Sequence, residues 1–313
     1  MSHQPLRHYL SAADLTADET RTLLALAAKQ KRRWQRRQRA SKKLRGLTLA
    51  AIFEKPSLRT RTTLEVAMTQ LGGHSVVLGD SIGLGVREPV RDVAANLSRW
   101  VQLVAARTFR HETITELAQH STIPVINALS NREHPCQALA DVLTLQEHLG
   151  ELQGRTLAFL GDGNNIAHSL LLMGGLLGLN VTIATPPDFA PDAAILAQAQ
   201  ALAVQSGATI RAITDPHAAV QGADAIYTDV WASMGQESEA AARLPIFAPY
   251  QVNAALLAAS GNAHALIMHD LPAHRGEEIT AEVLDGPQSV IYDQAENRLH
   301  TIKALVLWLL GRA

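Results

Sequence analysis

Cysteine is almost absent from this 313-residue chain: Cys136 stands alone. That excludes an internal disulfide framework and a cysteine-held metal cluster. Aromatic residues supply 4% of the sequence and charged residues 18%, against 47% hydrophobic, as in an ordinary globular α/β protein. The net charge is −1, so no overall field recruits nucleic acid or membrane, and only local patches can act on an anion. Also missing is an uncharged apolar run of the ~18 residues that a membrane span needs. LLLMGGLLGLNVTIA comes nearest, and its glycines mark it as helix followed by strand. The opening MSHQPLRHYLSAADL lacks the apolar core of a secretory signal. These absences predict a cytoplasmic protein with no membrane or nucleic-acid partner. The length suggests about two domains at roughly 100–200 residues each.

What is present is an alternation of strand and helix signals. Residues 11–42 carry apolar residues at helical spacing, with Ser11, Asp14 and Thr16 as available caps, and then turn strongly basic. LTLAAIF (47–53) reads as a buried strand and TTLEVAMTQLGG (62–73) as a helix ending at glycine. HSVVLGD, QLVAART and IPVINAL read as further strands, separated by helical PVRDVAANLSRWV and ETITELAQHS. The helix HPCQALADVLTLQEHLG then leads to a second series. There RTLAFLGDG, NVTIATP, TIRAIT, AIYTDV, HALIMHDL and QSVIYDQ are strand-like, and NRLHTIKALVLWLLGRA is a long final helix. Regular alternation argues for parallel sheets covered by helices on both faces. The expected fold is α/β with two domains, each a mainly parallel sheet flanked by helices.

Polar clusters gather where strands end, which is where ligands bind in such sheets. In FEKPSLRTRTT a buried strand gives way to hydroxyls and guanidiniums at the start of a helix. Free N–H groups and the positive helix end converge there on Ser57, Arg59 and Thr60, a geometry suited to phosphate. Arg59 and Arg61 stay charged and offer forked donors. Basic residues sit badly at a positive helix end unless an anion joins them, so an anion site is favoured over a plain capped turn. Arg107 ends another strand. His134 and Gln137, three apart, share a helix face and can point at one carbonyl oxygen, although a lone histidine at a helix start is more often a cap. GDGNNI resembles a dinucleotide fingerprint, but Ile166 occupies its third glycine position and no acid plainly ends the next strand, which weakens a nicotinamide reading. DVWASMGQE and HDLPAHRGEE place further polar groups at strand ends.

Together, FEKPSLRTRTTLEVA, HPCQALAD, GDGNNIAHSLL, DVWASMGQE, LPAHRGEEIT and QAENRLHTIKA resemble the aspartate/ornithine transcarbamylase family, in its ornithine-specific branch. The likeness runs over nearly the whole chain. It implies a carbamoyl-phosphate-binding domain at 1–133, an amino-acid-binding domain at 134–296, and a final helix, 297–313, packing back on the first domain. It further implies homotrimers, with higher assembly open, and no metal or organic cofactor. The implied reaction moves the carbamoyl group of carbamoyl phosphate to the side-chain amine of L-ornithine, giving L-citrulline and phosphate. Ser57, Leu58, Arg59, Thr60, Ser81, Arg107, His134, Gln137 and Arg298 are then the expected carbamoyl phosphate contacts. Asn165, Asp229, Ser233, Met234, Asp270 and Leu271 are the expected ornithine contacts. Arg107, His134, Asp270 and Arg298 are the expected catalytic groups, whereas Cys136 is expected to be a packed helix residue.

Three positions depart from the family pattern. Leu58 replaces a common threonine, and Ser81 replaces a glutamine in a loop that reaches a neighbouring subunit. Asp270 stands in HDLP where the family reads HCLP. A second carboxylate beside Asp229 would stabilise an ammonium ion or stay protonated itself; alternatively Asp270 turns to solvent or pairs with His269 or Arg298. Another amine substrate, putrescine or an acylated ornithine, is therefore the runner-up, with a weakly active carbamoyl-phosphate-binding relative beside it. The run KQKRRWQRRQRASKKLR (29–45) motivates a nucleic-acid role, although such runs are usually solvated helix faces.

Overall fold

The computed structural model describes residues 6–232 and 237–313. Two compact units divide the chain. One runs up to Leu143 and takes in Glu296–Ala313; the other is Thr144–Ala295.

The first unit begins with α1 (Ala17–Arg37), whose start is a reciprocal capping box between Thr16 and Glu19. Thr16, rather than Ser11 or Asp14, is the cap. There follow β1 (Thr48–Phe53), α2 (Leu58–Leu71), β2 (His74–Leu78), α3 (Val90–Trp100), β3 (Leu103–Arg107), α4 (His111–His120), β4 (Val125–Leu129) and α5 (Pro135–Leu149). The four strands are parallel, in the order β2-β1-β3-β4. β1 and β3 are continuous apolar runs because helices cover both faces. Ala50, Ile52, Val104 and Ala106 pack with Leu97, Ile114 and Leu117 in one buried cluster. The strand order reverses direction between β1 and β3. A parallel sheet opens a crevice at the carboxyl ends of its strands at such a reversal. The chain supplies Lys55 to Thr60 after β1 and Arg107 at the end of β3, on the two sides of that reversal.

The second unit holds β5 (Thr156–Leu160), α6 (Asn165–Leu177), β6 (Asn180–Ala184), α7 (Ala193–Ser206), β7 (Ile210–Ile213), α8 (Pro216–Val220), β8 (Ala225–Thr228), α9 (Ala240–Phe247), α10 (Ala254–Ala259), β9 (Leu266–His269) and α11 (Ala281–Leu284). Its parallel order is β7-β6-β5-β8-β9, so the reversal lies between β5 and β8. Asn165 opens the helix after β5, and Asp229 directly follows β8.

The last helix, α12 (Ile291–Leu309), starts in the second unit and passes into the first. There Lys31 of α1 donates to Asn297 at 2.9 Å, so the final helix does pack back on the first unit. The two units divide within α5, between Leu143 and Thr144, so that His134 and Gln137 fall in the first.

Two local expectations fail. QSVIYDQ is not a strand: Ser289 makes one isolated bridge to Ile267, and α12 has begun by Ile291. Val290 and Ile291 suit strands by propensity, but both are buried and Asp293 favours the first turn of a helix. Helix α2 begins at Leu58, not at residue 62, because the Ser57 hydroxyl accepts the Thr60 N–H at 3.2 Å. SLRT is therefore the first turn itself. No helix among the described residues is long and apolar enough to cross a membrane.

Candidate active site

In the first unit the site is built on three buried scaffolds. Ser57 caps α2, so the first-turn N–H groups of Leu58, Arg59 and Thr60 surround the positive end of that helix. Leu58 is 77% exposed, consistent with its serving through its backbone. Arg107 is buried at the end of β3, where the pairing with β4 slips by one residue. A slip of this kind re-aims the side chain at the end of a strand. Its carbonyl accepts the Glu54 N–H at 2.9 Å, which ties the loop after β1 to β3.

Arg298 of α12 organises the rest. Its Nη2 donates to Thr60 Oγ1 at 2.9 Å, and its Nη1 donates to Gln137 Oε1 at 2.6 Å and lies 3.4 Å from His134 Nε2. A guanidinium only donates, so each of these atoms accepts. Thr60 therefore keeps its own O–H to give elsewhere, and His134 carries its proton on Nδ1. Gln137 turns its amide N–H to Asp141, 2.8 Å away, which fixes the orientation of the amide. Asp141 is a participant the sequence reading missed; its i, i+4 spacing from Gln137 on α5 was the available signal.

The electrostatics are one-sided. His134 is fully buried, and its pKa is driven well below the ordinary histidine range, first by burial and then by the charges of Arg298, Arg107 and Arg59. The imidazole is therefore neutral at physiological pH and acts as a hydrogen-bonding group among cations. Concentrating three guanidiniums around a buried imidazole is costly, and a dianion offsets that cost. Cys136, next in sequence to Pro135, donates weakly to the Asn127 carbonyl at 3.4 Å, and burial pushes its thiol up to about 12. It is a packed helix residue, not a nucleophile. Ser81 lies exposed in a short turn after β2.

In the second unit, Asn164 caps α6 by accepting the N–H groups of Ile166 and Ala167. Its Nδ2 donates to Asp229 Oδ2 at 2.9 Å, and Asp229 Oδ1 accepts the Val230 N–H at 2.7 Å. The carboxylate is thereby held at the reversal point beside Asn165. The glycines of GDGNN answer to backbone geometry here. Gly161 has φ +136°, and a Cβ on Gly163 would come within 2.3 Å of Pro191 N.

Arg243, a residue without any signal in the sequence, braces the segment after Asp229. It pairs with Asp162 at 2.7 Å, donates to the Trp231 carbonyl at 2.9 Å and stacks over Phe189. Burial raises the Asp162 pKa against the pull of that guanidinium. Ser233 and Met234 lie outside the described residues.

Asp270 and Leu271 follow β9. Leu271 has φ 63°, a left-handed conformation uncommon for leucine, and the next peptide bond, to Pro272, is cis. The Leu271 N–H donates to His269 Nδ1 at 2.9 Å, so that imidazole turns its Nε2–H to Glu278, 3.0 Å away. Asp270 Oδ1 stands 3.5 Å from the same Nδ1. With Nδ1 already accepting a hydrogen bond, His269 does not neutralise Asp270. Asp229, His269 and Asp270 each bring an oxygen or nitrogen within 4.8 Å of the others. The structure thus places Asp270 beside Asp229, as the HDLP reading anticipated.

Comparison with known proteins places the chain in a family. The family model for the aspartate/ornithine carbamoyltransferase carbamoyl-P binding domain matches residues 7–147, and that for the Asp/Orn binding domain matches residues 153–309. An ornithine carbamoyltransferase of Acidothermus cellulolyticus is 51% identical over 311 residues, covering 98% of each chain. One from Thermus thermophilus is 53% identical over 293 residues, covering 93% of each. The solved ornithine carbamoyltransferase of Pyrococcus furiosus superposes with a TM-score of 0.93 at 47% identity, covering 97% of each chain. With both halves matched by its domain models and its full length by such relatives, the chain belongs to the aspartate/ornithine carbamoyltransferase family.

Proposed function

We propose that this chain is an ornithine carbamoyltransferase, transferring the carbamoyl group of carbamoyl phosphate to the side-chain amine of L-ornithine to give L-citrulline and phosphate. The observation that carries the reading is the Arg298 contact set, which joins Thr60 at the head of α2 to His134 and Gln137 at the head of α5. Relatives sharing about half their residues over nearly the whole length carry the same activity in their names.

The phosphate lies at the start of α2, against the backbone of Leu58 and Arg59 and the side chains of Ser57, Arg59 and Thr60. Arg107 bridges phosphate and carbamoyl oxygen. His134 and Gln137 hold the carbamoyl group as neutral hydrogen-bonding partners; an imidazolium there would add repulsion to the existing cations. The neutral amine of ornithine attacks the carbamoyl carbon. The carbonyl electron pair moves onto oxygen, and the tetrahedral oxyanion is stabilised by Arg107, His134 and the Thr60 O–H. Collapse of that intermediate breaks the C–O bond to phosphate, the departing phosphate takes the proton from the attacking nitrogen, and it leaves as hydrogen phosphate, its charge neutralised by Arg59. Asp229, with Asn165, Ser233, Met234, Asp270 and Leu271, orients ornithine. Positioning two substrates for a direct displacement supplies much of the acceleration, so no side-chain nucleophile is required.

The exposed Ser81 turn supports a homotrimer in which this loop completes a neighbour's site; a sedimentation mass of one 33.7 kDa chain would remove that part. The lone buried thiol accords with action in the cytoplasm.

A second reading, carbamoylation of a different amine, is motivated by Asp270. A panel of L-ornithine, putrescine and N-acetylornithine with carbamoyl phosphate separates the two. Citrulline is expected to form fastest. Faster turnover of putrescine or the acylated amine would replace ornithine as substrate, and no turnover of any would leave a binding protein.

A further inference from the structure

A second concentration of positive charge lies in the first unit, at the far end of α2 from Ser57. There α1, α2, α12 and the segment after α1 line a shallow, solvent-open hollow, with Arg33, Trp34, Arg39, Ser41, Gln70 and Lys303 among its walls. Thr60 and Gln70 stand in the first and last turns of α2, about 15 Å apart at ~1.5 Å per residue. The hollow is therefore not the anion site assigned above.

Lys303 is its buried floor, 2% exposed. The ammonium donates to Gln70 Oε1 at 2.9 Å and sits 5.5 Å from the centre of the Trp34 ring. Burial, and then the charge of Arg33, pull its pKa down to about 8, with Glu296 on its own helix acting in the opposite sense. His300, one turn before it, is itself held neutral, its pKa lowered to about 4 chiefly by burial. Among the described residues, the ion pairs give neither Arg33 nor Arg39 a carboxylate. The sequence explains why: no Asp or Glu occurs from residue 20 to residue 53, while ten Lys or Arg fall between 29 and 45.

We propose that this hollow binds a phosphate-class dianion, either free phosphate or the phosphate of a small ester. Two guanidinium forks and an ammonium offer donors from several directions, which suits a tetrahedral oxyanion better than a halide or a single carboxylate; the Ser41 hydroxyl is not among them, since it donates to the Leu71 carbonyl. Such an ion replaces the carboxylate that this stretch of sequence lacks. It also sets a counter-charge beside the Lys303 ammonium, which burial and Arg33 disfavour.

The test is thermal unfolding of the full chain at fixed ionic strength, in phosphate or in chloride. Phosphate at pH 7 is expected to raise the Tm of the wild type by about 1–3 °C over chloride. Arg33→Gln, a half-buried position outside the transfer machinery, keeps only the share owed to the head of α2. Arg59→Ala loses that share and keeps the one dependent on Arg33, so failure of either site is seen separately. Glycerol 3-phosphate in place of phosphate shows whether an ester is accepted; a response confined to phosphate assigns the free ion.

The Arg33-dependent gain also has a pH signature. The folded pKa of Lys303 lies below its unfolded value of 10.5. In chloride, stability therefore rises as pH climbs from about 8 toward 10.5. The phosphate gain is largest below pH 8 and fades above it. Equal shifts in wild type and Arg33→Gln would overturn the proposal, as would a response to an oligonucleotide with none to phosphate or its ester.

Discussion

Arg298→Met is expected to lower kcat/KM for carbamoyl transfer by about two to three orders of magnitude, the scale on which loss of one preorganised donor is felt in such reactions. The guanidinium is buried and hands defined acceptor roles to Thr60, Gln137 and His134. Methionine fills similar space but donates nothing. Thr60 and His134 then lose the partner that sets their hydrogen positions, and a positive charge leaves the reacting centre. The same change strips a donor from two buried acceptors, Gln137 Oε1 and Thr60 Oγ1. At about 1–3 kcal/mol each, this should appear as a lowered urea midpoint. Arg298→Lys restores a charge without the fork and should recover only part of the rate. Initial rates of citrulline formation with a parallel urea titration check both effects; a Met variant within threefold of wild type would remove Arg298 from the mechanism.

The second large effect concerns Asp270. Two carboxylates, Asp229 and Asp270, approach one another beside His269, whose Nδ1 already accepts a backbone N–H and whose Nε2–H faces Glu278. An amine bound near them is stabilised as ammonium, because negative charge favours the protonated form. Less of it is then the free base that attacks. Asp270→Cys removes one of these charges. The acidic limb of the pH–rate profile should move down by about one unit, equivalent to roughly tenfold faster turnover at pH 7 if amine deprotonation limits the rate. Profiles for wild type and variant across pH 6–10 test this. Superimposable curves would mean that Asp270 does not act on the amine.

Much of the architecture was legible because parallel sheets impose a strict grammar. LTLAAIF, LVAAR and TLAFL could only be doubly covered strands, and the punctuation after each pointed to a strand end. The SLRT turn suggests an anion site because cations at a positive helix end require an explanation. Its true helical start at Leu58 was missed because the extra turn depends on the Ser57–Thr60 bond, not on apolar periodicity. QSVIYDQ was misread for a related reason: its propensity is that of a strand, and only the packing of α12 decides otherwise. Arg243 was invisible, since nothing in AARLPIF marks a guanidinium that reaches Asp162 from more than eighty positions away. Asp141 was visible in principle but lacked a motive until Arg298 was seen to fix the Gln137 amide.

The central claim is a division of labour: the first unit holds the donor through its cations, and the second holds the amine through Asp229. Titration of carbamoyl phosphate into the chain with no amine present tests it most directly. Arg59→Ala should raise Kd at least about tenfold, a loss of ~1.4 kcal/mol, whereas Asp229→Asn should leave Kd within about a factor of two. Binding that survives Arg59→Ala and fails in Asp229→Asn would contradict the account.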